Sequence, residues 1–193
     1  MRRTWIIPAL VALLAMPAAA SEPPGDDISF EALEHYSLGS FFEARDRLPE
    51  AVHEYRLALE GNPDNADIHG SLARVYYRLR EGQQAAESAR RALELDPTNL
   101  DGLEISVQLA LGERNVDEAV AHLKNMVEIS PKELEYRIRL AELLERSGDF
   151  DGAIEQLRET TRIRPGLAQA HFRLASLLSR QGRLEEALAE YDT

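Results

Sequence analysis

The apolar positions of this chain fall into short runs with helical spacing, and these runs recur at a constant interval. The interval is marked by four prolines that stand 34 residues apart: Pro63, Pro97, Pro131 and Pro165. Twelve positions before each proline there is an alanine, and a fifth continues the series: Ala51, Ala85, Ala119, Ala153 and Ala187. Large apolar residues recur at i, i+3/i+4 and i+7 in two runs per interval. The pattern therefore predicts a helical hairpin copied in tandem.

The repeated pattern resembles the tetratricopeptide repeat. The first copy carries the resemblance through Leu38, Gly39, Phe42, Ala51, Tyr55, Ala58 and Pro63. The resemblance implies an all-α fold, a right-handed α-solenoid of 34-residue helix-turn-helix repeats. We expect repeats over 32–65, 66–99, 100–133, 134–167 and an incomplete 168–193.

Two local features refine this prediction. In the third copy Ser106 and Val107 replace the usual Leu-Gly pair, and Gly112 follows, so we expect its first helix to pack less tightly than the others. Ser130 and Glu133, on either side of Pro131, have the spacing of a capping box and predict that the next helix begins with Ser130 as its N-cap.

The first 20 residues have the layout of a secretory signal peptide. Arg2 and Arg3 precede an apolar stretch that ends in Ala18-Ala19-Ala20, which predicts cleavage after Ala20. The alternative is a retained membrane anchor, but the stretch is shorter than the ~20 apolar residues a span requires. Residues 21–31 are expected to form a flexible spacer. These features predict a periplasmic or secreted protein with no membrane insertion after cleavage.

Composition and motifs narrow the function. The formal net charge is −12 and becomes −14 without the two leader arginines, which disfavours nucleic acid as a partner. There is no cysteine, no G-x-S-x-G, no glycine-rich phosphate loop and no H-E-x-x-H, so we expect neither catalysis nor a cofactor. His35, His69 and His171 share one repeat position, and we expect them to pack within or between repeats rather than to bind a metal.

The resemblance implies that one face of each first helix binds a protein or peptide partner. The candidate partner-binding residues on that face are Arg74, Tyr77, Arg78, Phe172, Arg173 and Arg180. The four arginines have no acid at i−4, whereas Arg139 and Arg146 follow Glu135 and Glu142 by four residues and are expected to pair within their helix. Free arginines could hold a carboxylate of the partner through two hydrogen bonds. The lysine and asparagine clamp of some family members is not reproduced.

These features predict a non-enzymatic periplasmic scaffold for protein–protein interaction, and the resemblance to secreted bacterial repeat proteins implies a role in cell-envelope assembly or export. The alternative is the N-terminal targeting arm of a larger enzyme, such as a glycosyltransferase, which a reading frame that continues past Thr193 would favour. Leu184, Leu188 and Tyr191 form an apolar stripe in the incomplete fifth copy. We expect this stripe to contact further repeats, or to be covered by self-association through this end.

Overall fold

The computed structural model describes residues 30–192, and this part of the chain forms ten α-helices in five successive hairpins. The first helices of the hairpins are α1 (Phe30–Glu43), α3 (Ala66–Arg78), α5 (Leu100–Gly112), α7 (Leu134–Ser147) and α9 (Ala168–Arg180). The second helices are α2 (Leu48–Gly61), α4 (Gly82–Leu95), α6 (Val116–Ile129), α8 (Phe150–Ile163) and α10 (Leu184–Tyr191). The hairpins stack as a right-handed α-solenoid, as predicted.

The predicted signal peptide, residues 1–20, lies outside the described residues, as does the spacer up to residue 29. Residues 30 and 31 of the predicted spacer belong to α1, which begins at Phe30. Over residues 30–192, no helix has both the length and the apolar character that crossing a membrane would require.

The repeated alanines are buried in the core of the array. Ala51, Ala85, Ala119 and Ala153 are fully buried, and Ala187 is 3% exposed. Gly39 has the same role in α1, because a Cβ added there would lie 2.5 Å from the ring of Tyr55. Small residues let the backbones approach, and larger apolar side chains fill the space beside them.

The turn inside each hairpin contains one residue with a left-handed backbone, and these residues also recur every 34 positions. The backbone angle φ is 60° at Asp46, 64° at Arg80, 61° at Arg114, 89° at Gly148 and 75° at Gly182. Glycine adopts this conformation without penalty, whereas a side chain makes it unfavourable. The fourth and fifth turns, which have glycine at this position, are therefore less strained than the other three, although φ is positive in all five.

Side-chain caps fix the start of four helices. Asn65, Asn99, Asn115 and Asp149 each accept a hydrogen bond from the backbone N–H three residues later, at 2.8–3.3 Å. The capping box predicted at Ser130 and Glu133 is wrong. Glu133 is itself the N-cap of α7 without a side-chain bond, and the N–H of Ser130 still bonds to α6. The repeated prolines accordingly lie in the link that approaches each first helix.

The first helix of the third repeat packs into the core despite its departures from the pattern. Val107 is fully buried, and the hydroxyl of Ser106 donates to the backbone oxygen of Gly102 at 2.8 Å. Gly112 is the last residue of α5, so it does not interrupt the helix. The unusual residues are therefore accommodated within a helix of ordinary length.

Candidate partner-binding face

Arginines on the first helices reach acids on the first helix of the preceding repeat. The ion pairs are Glu43–Arg74, Glu43–Arg78, Glu104–Arg139, Glu142–Arg173 and Glu145–Arg180. We call this set the charge ladder. It runs along the face on which the sequence placed the candidate partner-binding residues.

Glu43 is the most enclosed member of the charge ladder, with a side chain only 11% exposed. Arg74 donates to both of its oxygens, from Nε at 2.7 Å and from Nη2 at 3.0 Å. The hydroxyl of Tyr55 donates to the same carboxylate at 2.9 Å, and Arg78 adds a longer bond of 3.3 Å. The carboxylate thus joins α1 both to α3 and to the second helix of its own hairpin.

The electrostatics of this cluster follow from its contacts. Burial by itself would raise the pKa of Glu43, but the hydrogen bonds and charge of Arg74, with smaller contributions from Tyr55 and Arg78, hold the pKa below its ordinary value. Burial, reinforced by the neighbouring Glu43 carboxylate, raises the pKa of Tyr55 to about 12. Glu43 is therefore held ionised and Tyr55 is held protonated.

Arg74 also bridges forward along the array, because its Nη1 donates to the carboxylate of Asp101 on α5. A parallel contact links the starts of α3 and α5, where the side chain of Asn99, the N-cap of α5, donates to Asp67 at 3.0 Å. One guanidinium thus connects α1, α3 and α5. Arg74 is committed to two acids of its own chain.

The next step of the charge ladder is a bidentate pair between α5 and α7. Arg139 donates to the two oxygens of Glu104 at 2.7 and 2.9 Å, and Gln108 donates to the same carboxylate at 2.8 Å. Burial would raise the pKa of Glu104, but the bonds from Arg139 and Gln108 lower it below its ordinary value. The predicted pairing of Arg139 with Glu135 inside α7 is wrong, because Arg139 is bonded to Glu104 on the neighbouring repeat.

The last steps of the charge ladder join α7 to α9. Glu142 accepts from Arg173 rather than from Arg146, so the second predicted intrahelical pair is also wrong. Arg180 pairs with Glu145 and lies over the ring of Phe150, with 5.3 Å between the guanidinium carbon and the ring centroid. All four candidate arginines therefore have acidic partners within the chain.

Tyr77 and Phe172 are the aromatic members of the candidate set, and both are exposed. Phe172 makes an edge contact with Tyr191, with ring centroids 5.9 Å apart. Tyr77 follows the ladder residue Arg74 on α3 and directly precedes Arg78. The structure places the six candidates in two groups, one on α3 and one on α9, rather than in a single cluster.

The acids of the charge ladder were not among the predicted site residues, although the sequence contains a signal for them. Each ladder acid is followed by its arginine after 31 or 35 residues. An offset of 31 is one 34-residue repeat minus three residues, and an offset of 35 is one repeat plus one residue. The two offsets differ by four residues, so both place the arginine on the same face of its helix. Acids at i−4 do not reveal this pairing, because they lie in the same helix as the arginine.

Each of the three aligned histidines bonds to its own hairpin or to the link that precedes it. His35 contacts Glu54 and His171 contacts Glu190, each at 2.7 Å, and Nε2 of His69 lies 2.9 Å from the backbone oxygen of Pro63. These contacts agree with the predicted packing role, and they fasten the first helix of a repeat to its second helix or to its incoming link.

Comparison with known proteins identifies the family. Two family models, each described as tetratricopeptide repeat, match this chain, one at residues 32–99 and the other at residues 110–171 and 146–193. The chain belongs to the tetratricopeptide repeat family. No curated protein sequence matches it significantly.

Solved structures with the same fold share little sequence with this chain. MamA superposes with a TM-score of 0.69 at 19% identity, over 84% of this chain and 88% of MamA. YrrB, described as a TPR protein with an unusual peptide-binding site, gives 0.68 at 22% identity over 83% of each chain. PilF of Pseudomonas aeruginosa gives 0.65 at 23% identity, over 84% of this chain and 74% of PilF. These likenesses establish the fold. The matched tetratricopeptide repeats support a protein–protein interaction scaffold.

Proposed function

We propose that this chain is a non-enzymatic periplasmic scaffold that holds an extended peptide or a partner helix along its concave first-helix face. The observation that carries the proposal is the exposure of Tyr77 and Phe172 on that face, beside arginines that are fixed by acids. Exposed aromatic side chains next to fixed charges are the typical anchors of a binding surface. The leader-like residues 1–20 support the location, and a role in envelope assembly or export is part of the proposal.

The charge ladder defines the partner more closely than the arginines alone. Each arginine already has an acid, so the face presents fixed charges of both signs rather than free cations. A partner with apolar anchors and mixed charges fits this face better than a purely acidic peptide. Because the ladder holds its side chains in place before binding, little conformational entropy is lost when the partner binds.

Site-specific photocrosslinking in cells tests the face directly. A photoreactive amino acid at position 77 or 172 should crosslink to the same partner. Gln83 provides the control position, since it is exposed on α4 and lies off the first-helix face. Equal crosslinking at position 83, or none at positions 77 and 172, would contradict the proposed site.

A charge-swap experiment separates binding from ladder formation. Replacing Arg173 and Arg180 with glutamate should weaken partner capture at least tenfold while helicity is retained. The matched control adds Glu142→Arg and Glu145→Arg to the same two replacements, which restores both ion pairs in the opposite orientation. If the swap restores capture, the ladder only supports the fold; continued loss shows that the partner contacts the arginine itself.

The location is tested by cell fractionation and N-terminal sequencing. The mature protein should appear in the periplasmic fraction and begin at Ser21. Recovery of an intact Met1 terminus from the cytoplasm would overturn this part of the proposal and leave the binding face unaffected.

A further inference from the structure

The end of the array at α1 carries an exposed apolar surface. Leu38 is 37% exposed and Phe41 is 46% exposed, and with Phe30 and Leu33 they line a depression of 480 Å³. Large apolar side chains grouped in this way mark an interaction surface. Residues 1–29 precede this helix and lie outside the described range.

The opposite end carries a second exposed apolar surface on α10. Leu188 is 64% exposed and Tyr191 is 49% exposed, with Leu184 beside them. They extend along one side of the helix at i, i+4 and i+7, which is the spacing of a packing stripe.

Repeat equivalence shows that the two surfaces are the two halves of one kind of junction. The counterparts of Leu38 and Phe41 in the second, fourth and fifth repeats are Leu72, Val75, Leu140, Leu143, Leu174 and Leu177, all at most 5% exposed. In the fourth repeat, the counterparts of Leu188 and Tyr191 are Ile154 and Leu157, which are also buried. Ile154 and Leu157 share one apolar cluster with Leu174 and Leu177 across the junction of α8 with α9. The α10 surface therefore matches the α1 surface in the register of the interior junctions.

Charge does not oppose this match. At the positions where the interior repeats carry ladder arginines, the first hairpin has Ser37, Ser40 and Ala44. At the positions of the ladder acids, α9 has Phe172, Ser176 and Ser179. The hydroxyls of Ser37 and Ser40 already donate to the backbone of their own helix at 2.8 and 3.1 Å. Stacking α10 on α1 thus buries no unpaired ladder charge.

One acid lies on the α1 surface and fixes the register. Glu34 is the counterpart of Gly102, where an added Cβ would lie 3.3 Å from the backbone oxygen of Ala89 on the preceding helix. The counterpart of Ala89 in the fifth repeat is Tyr191. Stacking in register places Glu34 of one copy beside Tyr191 of the next, whose hydroxyl can donate to the carboxylate.

We propose that copies of this chain associate head to tail, with α10 of one copy seated on α1 of the next so that the repeat register continues across the boundary. Such an interface is heterologous, because two different surfaces meet. Each copy keeps one free surface of each kind, so the assembly grows by addition of further copies. The proposal is independent of any ligand on the first-helix face.

Sedimentation of the purified chain over a range of concentrations tests the association. The parent should form species larger than a dimer, and Phe41→Glu and Leu188→Glu should each weaken association at least tenfold. Mixing these two variants should yield a 1:1 dimer and nothing larger, since only one intact surface of each kind remains. Gln83→Glu adds the same charge away from both surfaces and should assemble like the parent.

Other occupants give different results in the same experiment. If two α10 surfaces met, Phe41→Glu would dimerise normally; if two α1 surfaces met, Leu188→Glu would do so. Full helicity with a strictly monomeric parent would mean that residues 1–29 or another protein cover the surface. Each of these outcomes overturns the proposal.

Cysteine crosslinking tests the register without adding a charge to either surface. The chain has no native cysteine, so Glu34→Cys combined with Tyr191→Cys introduces the only two thiols. Oxidation should give a ladder of covalent dimers, trimers and larger species on a non-reducing gel. Neither single variant should crosslink to itself, and a mixture of the two should stop at the dimer. A monomer band alone from the double variant would overturn the register.

Discussion

Glu43 and Glu145 occupy the same repeat position and pair with arginines at the same offset, yet their surroundings differ. Glu43 is enclosed and bonded by Arg74, Arg78 and Tyr55. Glu145 is more exposed, and its ion-pair partner among residues 30–192 is Arg180. The difference originates in the hairpin beneath the ladder. Ion pairs with identical spacing in the sequence are therefore expected to contribute unequally to the free energy of unfolding.

The core of each hairpin explains this inequality. In the first repeat Tyr55 fills the space left by Gly39, and its buried hydroxyl requires a polar partner. In the fourth repeat Leu157 and Ala141 occupy the equivalent positions, and neither side chain has a polar atom to satisfy. Glu43 is thus part of the core of its hairpin, while Glu145 remains a surface residue.

The largest expected effect comes from removing the enclosed acid. Glu43→Ala should lower the free energy of unfolding by about 3 kcal/mol, because Arg74 and the Tyr55 hydroxyl lose the enclosed carboxylate that they share. Arg74 then keeps Asp101 as its acidic partner, and Tyr55 keeps the longer bond to Ser40. Glu145→Ala should lower it by less than about 0.5 kcal/mol, as for an ordinary surface pair. Urea unfolding of the two variants measures both. Equal losses would remove the distinction between the two acids.

A smaller effect is expected from filling the space beside Tyr55. Gly39→Ala should cost about 2 kcal/mol, because the new methyl group meets the tyrosine ring and the core must shift. Gly112→Ala is the control, since an added Cβ there has no neighbour within 4 Å. The control should change stability by less than about 1 kcal/mol. An unchanged free energy of unfolding in Gly39→Ala would show that the Tyr55 ring can move to accommodate the methyl group.

The contribution of Glu43 should depend on pH. Its pKa is lower in the folded chain than in the unfolded chain, so its stabilisation is present above the ordinary glutamate pKa of about 4.3 and is lost as the pH falls through the lower folded value. The gap in unfolding free energy between the parent and Glu43→Gln should be wide at neutral pH and should narrow near pH 3. Denaturation curves at both pH values measure this gap, and a constant gap would contradict the prediction.

The smallest effects are expected in the left-handed turns. Arg80→Gly and Arg114→Gly should each raise the unfolding free energy by about 0.5–1 kcal/mol, because glycine adopts positive φ without strain. Gly148→Ala should lower it by about 1 kcal/mol. Opposite signs in the urea midpoints are the expected result. A loss of stability in Arg80→Gly would show that its side chain makes a compensating contact.

Much of the fold could be predicted from the sequence, because a constant interval of 34 residues with an alanine at a fixed position indicates one helical hairpin repeated in tandem. The helical hairpins and the solenoid are confirmed. The prediction for the start of α7 was wrong. Ser130 and Glu133 have the spacing of a capping box, but Ser130 is the C-cap of α6 and its backbone N–H bonds to Met126. The exposed aromatics Tyr77 and Phe172 were found because exposure on one helix face follows from helical periodicity.

The sequence by itself determined which residues share a face, and the tertiary structure decided which of them pair. Arg139 has an acid four residues earlier in its own helix and another 35 residues earlier in the neighbouring repeat, and it bonds to the distant one. The stacking of hairpins brings neighbouring first helices within reach, and burial there strengthens a bidentate pair more than solvent allows within an exposed helix. Local spacing cannot supply this information, because it depends on how two separate helices are packed.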